Sequence, residues 1–143
     1  MRSRNRNVFE ILEHTADIGF RAWGATREEL FANAALALEA VAIDTDAVEA
    51  REPYPVAAAG EDDESLLVNW LSEVLYYLDG RRVVMRRFEI ELRDPFQIRG
   101  RAWGEPRDPE RHPAKLIVKG VTYHQLRITS DQKGWCAEVY LDI

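Results

Sequence analysis

The 143-residue sequence is most informative at first through what it lacks. It has one cysteine, Cys136, so no internal disulfide framework exists and a reducing compartment suits it. No stretch approaches the roughly 18 unbroken apolar residues that a membrane helix needs, and the basic opening MRSRNRNVFE has no apolar run behind it to make a signal peptide. Its eight glycines are scattered, with no loop of the kind that cradles phosphates. Internal repeats, low-complexity tracts and domain-separating linkers are also missing. These absences point to a cytoplasmic protein with no membrane association, read here as one domain over residues 1–143.

What is present supports a packed core. A chain of this length buries roughly two-thirds of its unfolded surface, and 46% of its residues are hydrophobic. The net charge of −6 speaks against broad, non-specific binding to nucleic acid. The charge is unevenly spread. Residues 39–79 hold 11 acidic residues against Arg51 alone, whereas residues 81–101 hold seven arginines against Glu89, Glu91 and Asp94. Such polarity orients docking on a partner or marks a solvated surface.

Two segments read as helices. Thr26-Arg27-Glu28-Glu29 has the form of a capping box, and Leu30, Phe31, Ala34, Ala35, Leu38 and Val41 follow as one apolar stripe. The second helix follows Glu61-Asp62-Asp63-Glu64, whose charges suit the positive end of a helix dipole. Leu67, Trp70, Leu71, Val74 and Leu78 form its stripe, and Asp79-Gly80 its stop.

The remainder is strand-like: residues 9–12, 18–23, 83–93, 96–103, 114–121, 126–129 and 135–141, with 130–134 as a hairpin loop and 104–113 as a longer loop. Residues 48–58 are β-prone but carry Pro53 and Pro55, which predicts an edge strand or an irregular run. In the last strand Trp135, Ala137, Val139 and Leu141 share one face, and Cys136, Glu138, Tyr140 and Asp142 the other. The expected fold is α+β: a single domain with a largely antiparallel or mixed sheet and two main helices packed on one face.

Three places offer chemistry. His14-Thr15-Ala16-Asp17 sets an imidazole and a carboxylate between two strand-like runs, although a turn aspartate often only hydrogen-bonds its own turn. The end of the chain offers the side chain of Asp142 and the α-carboxylate of Ile143, oxygen donors that suit Ca²⁺, Mg²⁺ or Mn²⁺ better than zinc. An ordinary solvated terminus is the plainer alternative. In Lys119-Gly120-Val121-Thr122-Tyr123-His124 the strand glycine predicts a bulge or a close backbone approach. His124 there is either an acid/base group or an exposed turn residue. Cys136, mid-strand and without an activating neighbour in sequence, reads as structural.

His14-Thr15-Ala16-Asp17, Leu66-Leu67-Val68-Asn69-Trp70-Leu71-Ser72-Glu73, Lys119-Gly120-Val121-Thr122-Tyr123-His124 and the ending Tyr140-Leu141-Asp142-Ile143 together resemble the archease family, in order and over nearly the whole chain. The resemblance implies a compact α+β fold and a chaperone-like accessory role without catalysis by the chain itself. The implied partner is the GTP- and metal-dependent tRNA-splicing RNA ligase, whose guanylylation and multiple turnover the family promotes; tRNA is reached only through the ligase. It also implies a divalent metal site, carried here onto Asp17, Asp142 and Ile143, with Ca²⁺ the ion expected in a structure and Mg²⁺ or Mn²⁺ in function. Residues 81–101 and 104–113 match no motif of the family.

Two readings from other classes stand beside this one. The first is a small metal-dependent hydrolase using Asp17, His14 and His124 around a cation. The second is a general chaperone or RNA-binding module, disfavoured by the acidic balance and by the absence of basic and aromatic residues interleaved along one strand.

Overall fold

The structure, a computed structural model, describes residues 8–13 and 17–143. Seven strands and two helices follow one another as β1 (Phe9–Glu13), β2 (Ile18–Gly24), α1 (Arg27–Ala42), β3 (Glu52–Ala59), α2 (Asp63–Leu75), β4 (Val83–Arg93), β5 (Gln97–Pro106), β6 (Gly120–Asp131) and β7 (Gly134–Asp142). They form two antiparallel sheets, one ordered β1-β2-β7-β6 and the other β3-β5-β4. The α+β class is as expected. The number of sheets is not: alternation within a strand reveals which side is apolar, but not which strands share a sheet.

Helix α1 explains how two sheets share one core. Thr26 caps it, its hydroxyl accepting from the Glu29 N–H at 3.1 Å, while the Glu29 carboxylate reaches past the cap to the Ala25 N–H at 2.7 Å. All six residues of the predicted stripe are buried, and so are Ala37, Glu39 and Ala42 on neighbouring positions. The helix therefore buries more than one face, and its alanines let backbones approach on both sides. It packs on β2 of the first sheet and β4 of the second, as α2 packs on β3 and β6. Each helix thus touches both sheets, rather than covering one face of a single sheet.

Helix α2 starts at a reciprocal cap. Asp62 accepts from the Ser65 N–H at 2.7 Å, and the Ser65 hydroxyl accepts from the Asp62 N–H at 3.2 Å. The acidic run is thus a cap with two first-turn acids, Asp63 and Glu64, which favour the positive helix end. Its last turn widens into a π-helical segment, Tyr76–Gly80. Trp70 is fully buried, donates from its indole to the Phe31 carbonyl at 3.1 Å, and meets the Phe88 ring edge-on at 6.1 Å between centroids.

Strand β3, with Pro53 and Pro55, is an edge strand as its prolines require, pairing only with β5. Between 104 and 121 the structure departs from expectation. Strand β5 continues to Pro106, and Ala114 contributes only an isolated bridge to Ile43. Regular pairing resumes at Gly120, so residues 114–119 are not a strand. The bulge predicted at Gly120 lies between Thr122 and Arg127 instead, with Gln125 at φ 53°. Residues 120–131 form one interrupted strand rather than two separate ones.

Candidate metal site at the paired ends of β2 and β7

Strand β7 is interior, flanked by β2 and β6, so the end of the chain is held from both sides. The β2–β7 register runs from Gly24 opposite Trp135 to Ile18 opposite Leu141. One further step brings Asp17 into line with Asp142. Alternation does the rest: Ile18, Phe20 and Ala22 point into the core with Ala137, Val139 and Leu141. Asp17 therefore falls on the outer side with Gly19 and Arg21, as Asp142 does with Tyr140 and Glu138. On the far side of β7, the Lys119 N–H donates to the Asp142 carbonyl at 2.7 Å.

Between these carboxylates and the middle of the sheet lies Tyr140, 4% exposed although it points away from the core. Its ring occupies the space that Gly19 leaves open; a Cβ at position 19 would stand 2.7 Å from two ring carbons. The phenol donates to Glu138 at 2.9 Å, and Glu138 also takes the Arg21 guanidinium at 3.1 Å, which reaches Glu10 at 3.1 Å on β1. The bond to Glu138 holds the Tyr140 phenol above its ordinary pKa, with burial and the charges of Glu138 and Asp17 adding to the rise. Burial would raise Glu138, but the bonds from Tyr140 and Arg21 outweigh it and hold the carboxyl below its usual range. This row of side chains crosses three strands and was invisible to sequence reasoning, because its members are 11 and 117 residues apart.

Of the other residues singled out in the sequence, His124 is exposed on the β6 bulge, its N–H donating to Thr122 at 3.2 Å. Its ring meets Tyr140 edge-on at 6.2 Å between centroids. His14 lies outside the described residues. Cys136 is half-buried, and burial pushes its thiol up, away from the thiolate a reactive cysteine needs. Among the described residues no three His, Cys, Asp or Glu side chains cluster around a possible metal position. The carried-over set is of a different composition: two side-chain carboxylates and the α-carboxylate of Ile143. As an all-oxygen anionic set on an exposed strand end, it fits a hard divalent cation.

A second polar cluster lies in the stretch expected to be loop. Glu105, almost fully buried, accepts two bonds from Arg111 (3.2 and 2.8 Å), one from the Glu49 N–H (2.9 Å) and one from His112 Nε2 (3.0 Å). His112 Nδ1 accepts from the Asp108 N–H at 2.9 Å, which fixes the proton on Nε2. Burial alone would raise Glu105, yet these donors bring its pKa down to about 2. The cluster pins residues 105–112 against residues 47–51 and is structural: every ring nitrogen and carboxylate oxygen in it is already bonded.

The Archease protein family matches residues 9–143. This chain belongs to the archease family. The archease of Methanosarcina mazei is 45% identical over 139 residues, covering 94% of this chain and 95% of that protein. That of Methanopyrus kandleri is 40% identical, covering 94% and 99%. Among solved structures, protein 1598 of Methanobacterium thermoautotrophicum superposes with a TM-score of 0.84 at 37% identity, covering 96% of this chain and 99% of that one. An archease of Thermotoga maritima, described as a possible chaperone, superposes with a TM-score of 0.61 at 18% identity and shares the fold. The archease fold therefore accounts for both sheets and both helices, and no helix of the described residues is long and apolar enough to cross a membrane.

Proposed function

We propose that this archease-family chain is an accessory protein, not itself an enzyme, that activates the GTP- and metal-dependent tRNA-splicing RNA ligase in the cytoplasm. It promotes guanylylation of the ligase and its repeated turnover. A divalent cation held by Asp17, Asp142 and the α-carboxylate of Ile143 is the working centre. The observation that carries this reading is the β2–β7 pairing, which sets the end of β7 beside the segment leading into β2. Two aspartates 125 positions apart in the chain thereby come to adjacent strand ends on one face.

Physical chemistry supports a cation there. Carboxylates crowded at one strand end repel one another and raise each other's pKa values unless a positive charge is shared between them. When bound, Ca²⁺, Mg²⁺ or Mn²⁺ would supply a dense positive charge that can bridge to an anionic partner group. The chain's own contribution is position: Tyr140, locked over Gly19 and bonded to Glu138, stiffens the outer face next to both aspartates.

The test is a ligase guanylylation assay with GTP and metal, paired with a thermal melt on the same preparation. Asp17→Ala and Asp142→Ala are each expected to abolish activation at substoichiometric amounts while melting near wild type, since neither side chain fills the core. Full activation by both variants would overturn the assignment. Turnover of a substrate by the purified protein without any partner would favour the hydrolase reading instead.

A further inference from the structure

The seven arginines of residues 81–101 find no role in the site above. In the fold they do not form a uniform basic patch, because alternation and pairing divide them between surfaces. The outer face of the β3-β5-β4 sheet carries four of them: Arg87 and Arg93 on β4, and Arg99 and Arg101 on β5. The same face carries two acids, Glu89 and Glu91, both on β4.

Those acids are already used. Arg87 pairs with Glu89, and Arg93 with Glu91 at 3.4 Å, so β4 neutralises itself along its own length. Arg99 and Arg101 sit opposite Glu91 and Glu89 in the register but form no ion pair among the described residues. On their other side, β3 presents Ala57 and Pro55, which offer no charge. Two unspent guanidiniums therefore stand on the central strand, two residues and about 7 Å apart, in a shallow trough of about 480 Å³ that Pro55, Glu89 and Glu91 also line.

At the end of this trough, Arg87 lies over the Trp103 ring, its guanidinium carbon 4.6 Å from the ring centroid. Arg87 and Trp103 are cross-strand partners, with Pro53 on the far side of Trp103. A guanidinium held over an indole is pre-positioned to stack on a base. A basic and an aromatic residue thus meet here across strands, which no reading along a single strand reveals.

We propose that this outer face docks a single-stranded nucleic acid directly. Arg99 and Arg101 would bind successive phosphates, and the Arg87–Trp103 stack would receive a base. An open sheet face with planar stacking groups and unpaired cations is the general architecture for single strands. Guanidinium groups bind phosphate oxygens two at a time. The face lacks the contiguous large apolar core that a protein interface would bury: apart from the covered Trp103, its uncharged residues are Pro53, Pro55, Ala57, Ala59 and Gln97. The net charge of −6 keeps the affinity modest and makes it local to this face. The inference does not depend on the ligase reading, and its test contains no ligase.

The experiment is fluorescence anisotropy of a labelled uridine oligomer of about 12 nucleotides with the full chain, across a range of salt. Binding at low salt is expected, with a log–log salt slope of about −1.4, at about −0.7 for each of two phosphates on a single strand. Arg99→Glu/Arg101→Glu should weaken binding by about tenfold or more and flatten that slope. Lys115→Glu/Lys133→Glu changes the net charge equally but elsewhere, and should bind and melt nearly as wild type, as both lysines are exposed. Because glutamates at 99 and 101 face Glu91 and Glu89 and cost some stability, Arg99→Gln/Arg101→Gln, which opposes no like charges, should melt as wild type and still lose binding. Three results would overturn the proposal: no binding at low salt, equal loss in the arginine and the lysine variants, or displacement of the oligomer by poly-glutamate at matched charge. The last would identify an acidic protein segment as the occupant.

Discussion

Glu39 is a carboxyl group placed where charge is hardest to hold. It is fully buried on α1, its Oε1 accepting from the Met85 N–H at 3.2 Å beside the irregularity of β4, and its Oε2 has no partner among the described residues. Burial raises its pKa from 4.5 to about 8, the Met85 bond opposing only slightly, so the group is mostly protonated at neutral pH. A folded-state pKa above the unfolded one means that the native chain holds a proton the unfolded chain releases. The stabilisation is complete below about 4.5, declines across the interval, and is gone above about 8. Glu39→Gln should therefore melt as wild type does near pH 5 and at a higher temperature than wild type near pH 9. Equal melts at both values would show that Glu39 ionises without cost. Glu105 has the opposite sign. Its pKa is held at about 2 by Arg111, the Glu49 N–H and His112, so its contribution is present above 4.5 and lost as pH falls toward 2. Glu105→Gln should cost about 1–3 kcal/mol at pH 7, and chemical denaturation should show that cost shrinking in acid. A cost independent of pH would show that shape, not charge, holds the cluster.

At the scale of elements, the sequence was most legible where a local rule and the tertiary fold agree. The first helix starts at Thr26 because the hydroxyl and Glu29 satisfy local donors, whatever the rest of the chain does. The prolines of β3 enforce an edge in any sheet. Legibility failed where a partner strand decides. Residues 114–119 have strand-like composition but spend their backbone donors elsewhere: Ala114 bridges to Ile43, Lys115 and Leu116 donate to the Ala42 carbonyl at the end of α1, and Lys119 reaches β7 only at Asp142. Gly120 looked like a bulge, yet nothing approaches within 4 Å of where its Cβ would be. Gly104, by contrast, has a packing duty where β5 passes the β4 irregularity: a Cβ there would lie 1.9 Å from the Val84 carbonyl oxygen and 2.8 Å from the Met85 Cα. Backbone cannot swing aside as a side chain can. Gly104→Ala should therefore destabilise the chain by about 1–3 kcal/mol, whereas Gly120→Ala should be close to neutral. Equal effects in urea titrations would show that β4 and β5 separate freely at Gly104.

For the whole molecule, the candidate site is a product of topology rather than of either terminal segment. Asp17 and Asp142 were joined in the sequence only by the family resemblance, not by spacing; that they stand at adjacent strand ends depends on β7 pairing with β2. The arginine face was illegible for the same reason, since Trp103 and Arg87 belong to different strands. A cation shared between the β2 and β7 ends would bind only the folded chain, because unfolding separates its ligands by most of the sequence. Binding to the folded state alone adds stability as RT ln(1 + [M]/Kd), about 2.7 kcal/mol at a hundredfold excess over Kd. Added Ca²⁺ or Mn²⁺ should therefore raise the melting temperature of the wild-type chain, and a chelator should reverse the rise. Asp17→Ala and Asp142→Ala should each lose this response while melting, without metal, no lower than wild type, since removing one carboxylate relieves repulsion at the strand ends. A metal response that persists in both variants would place the cation elsewhere on the molecule, and no response in wild type would remove the metal from the proposed site altogether.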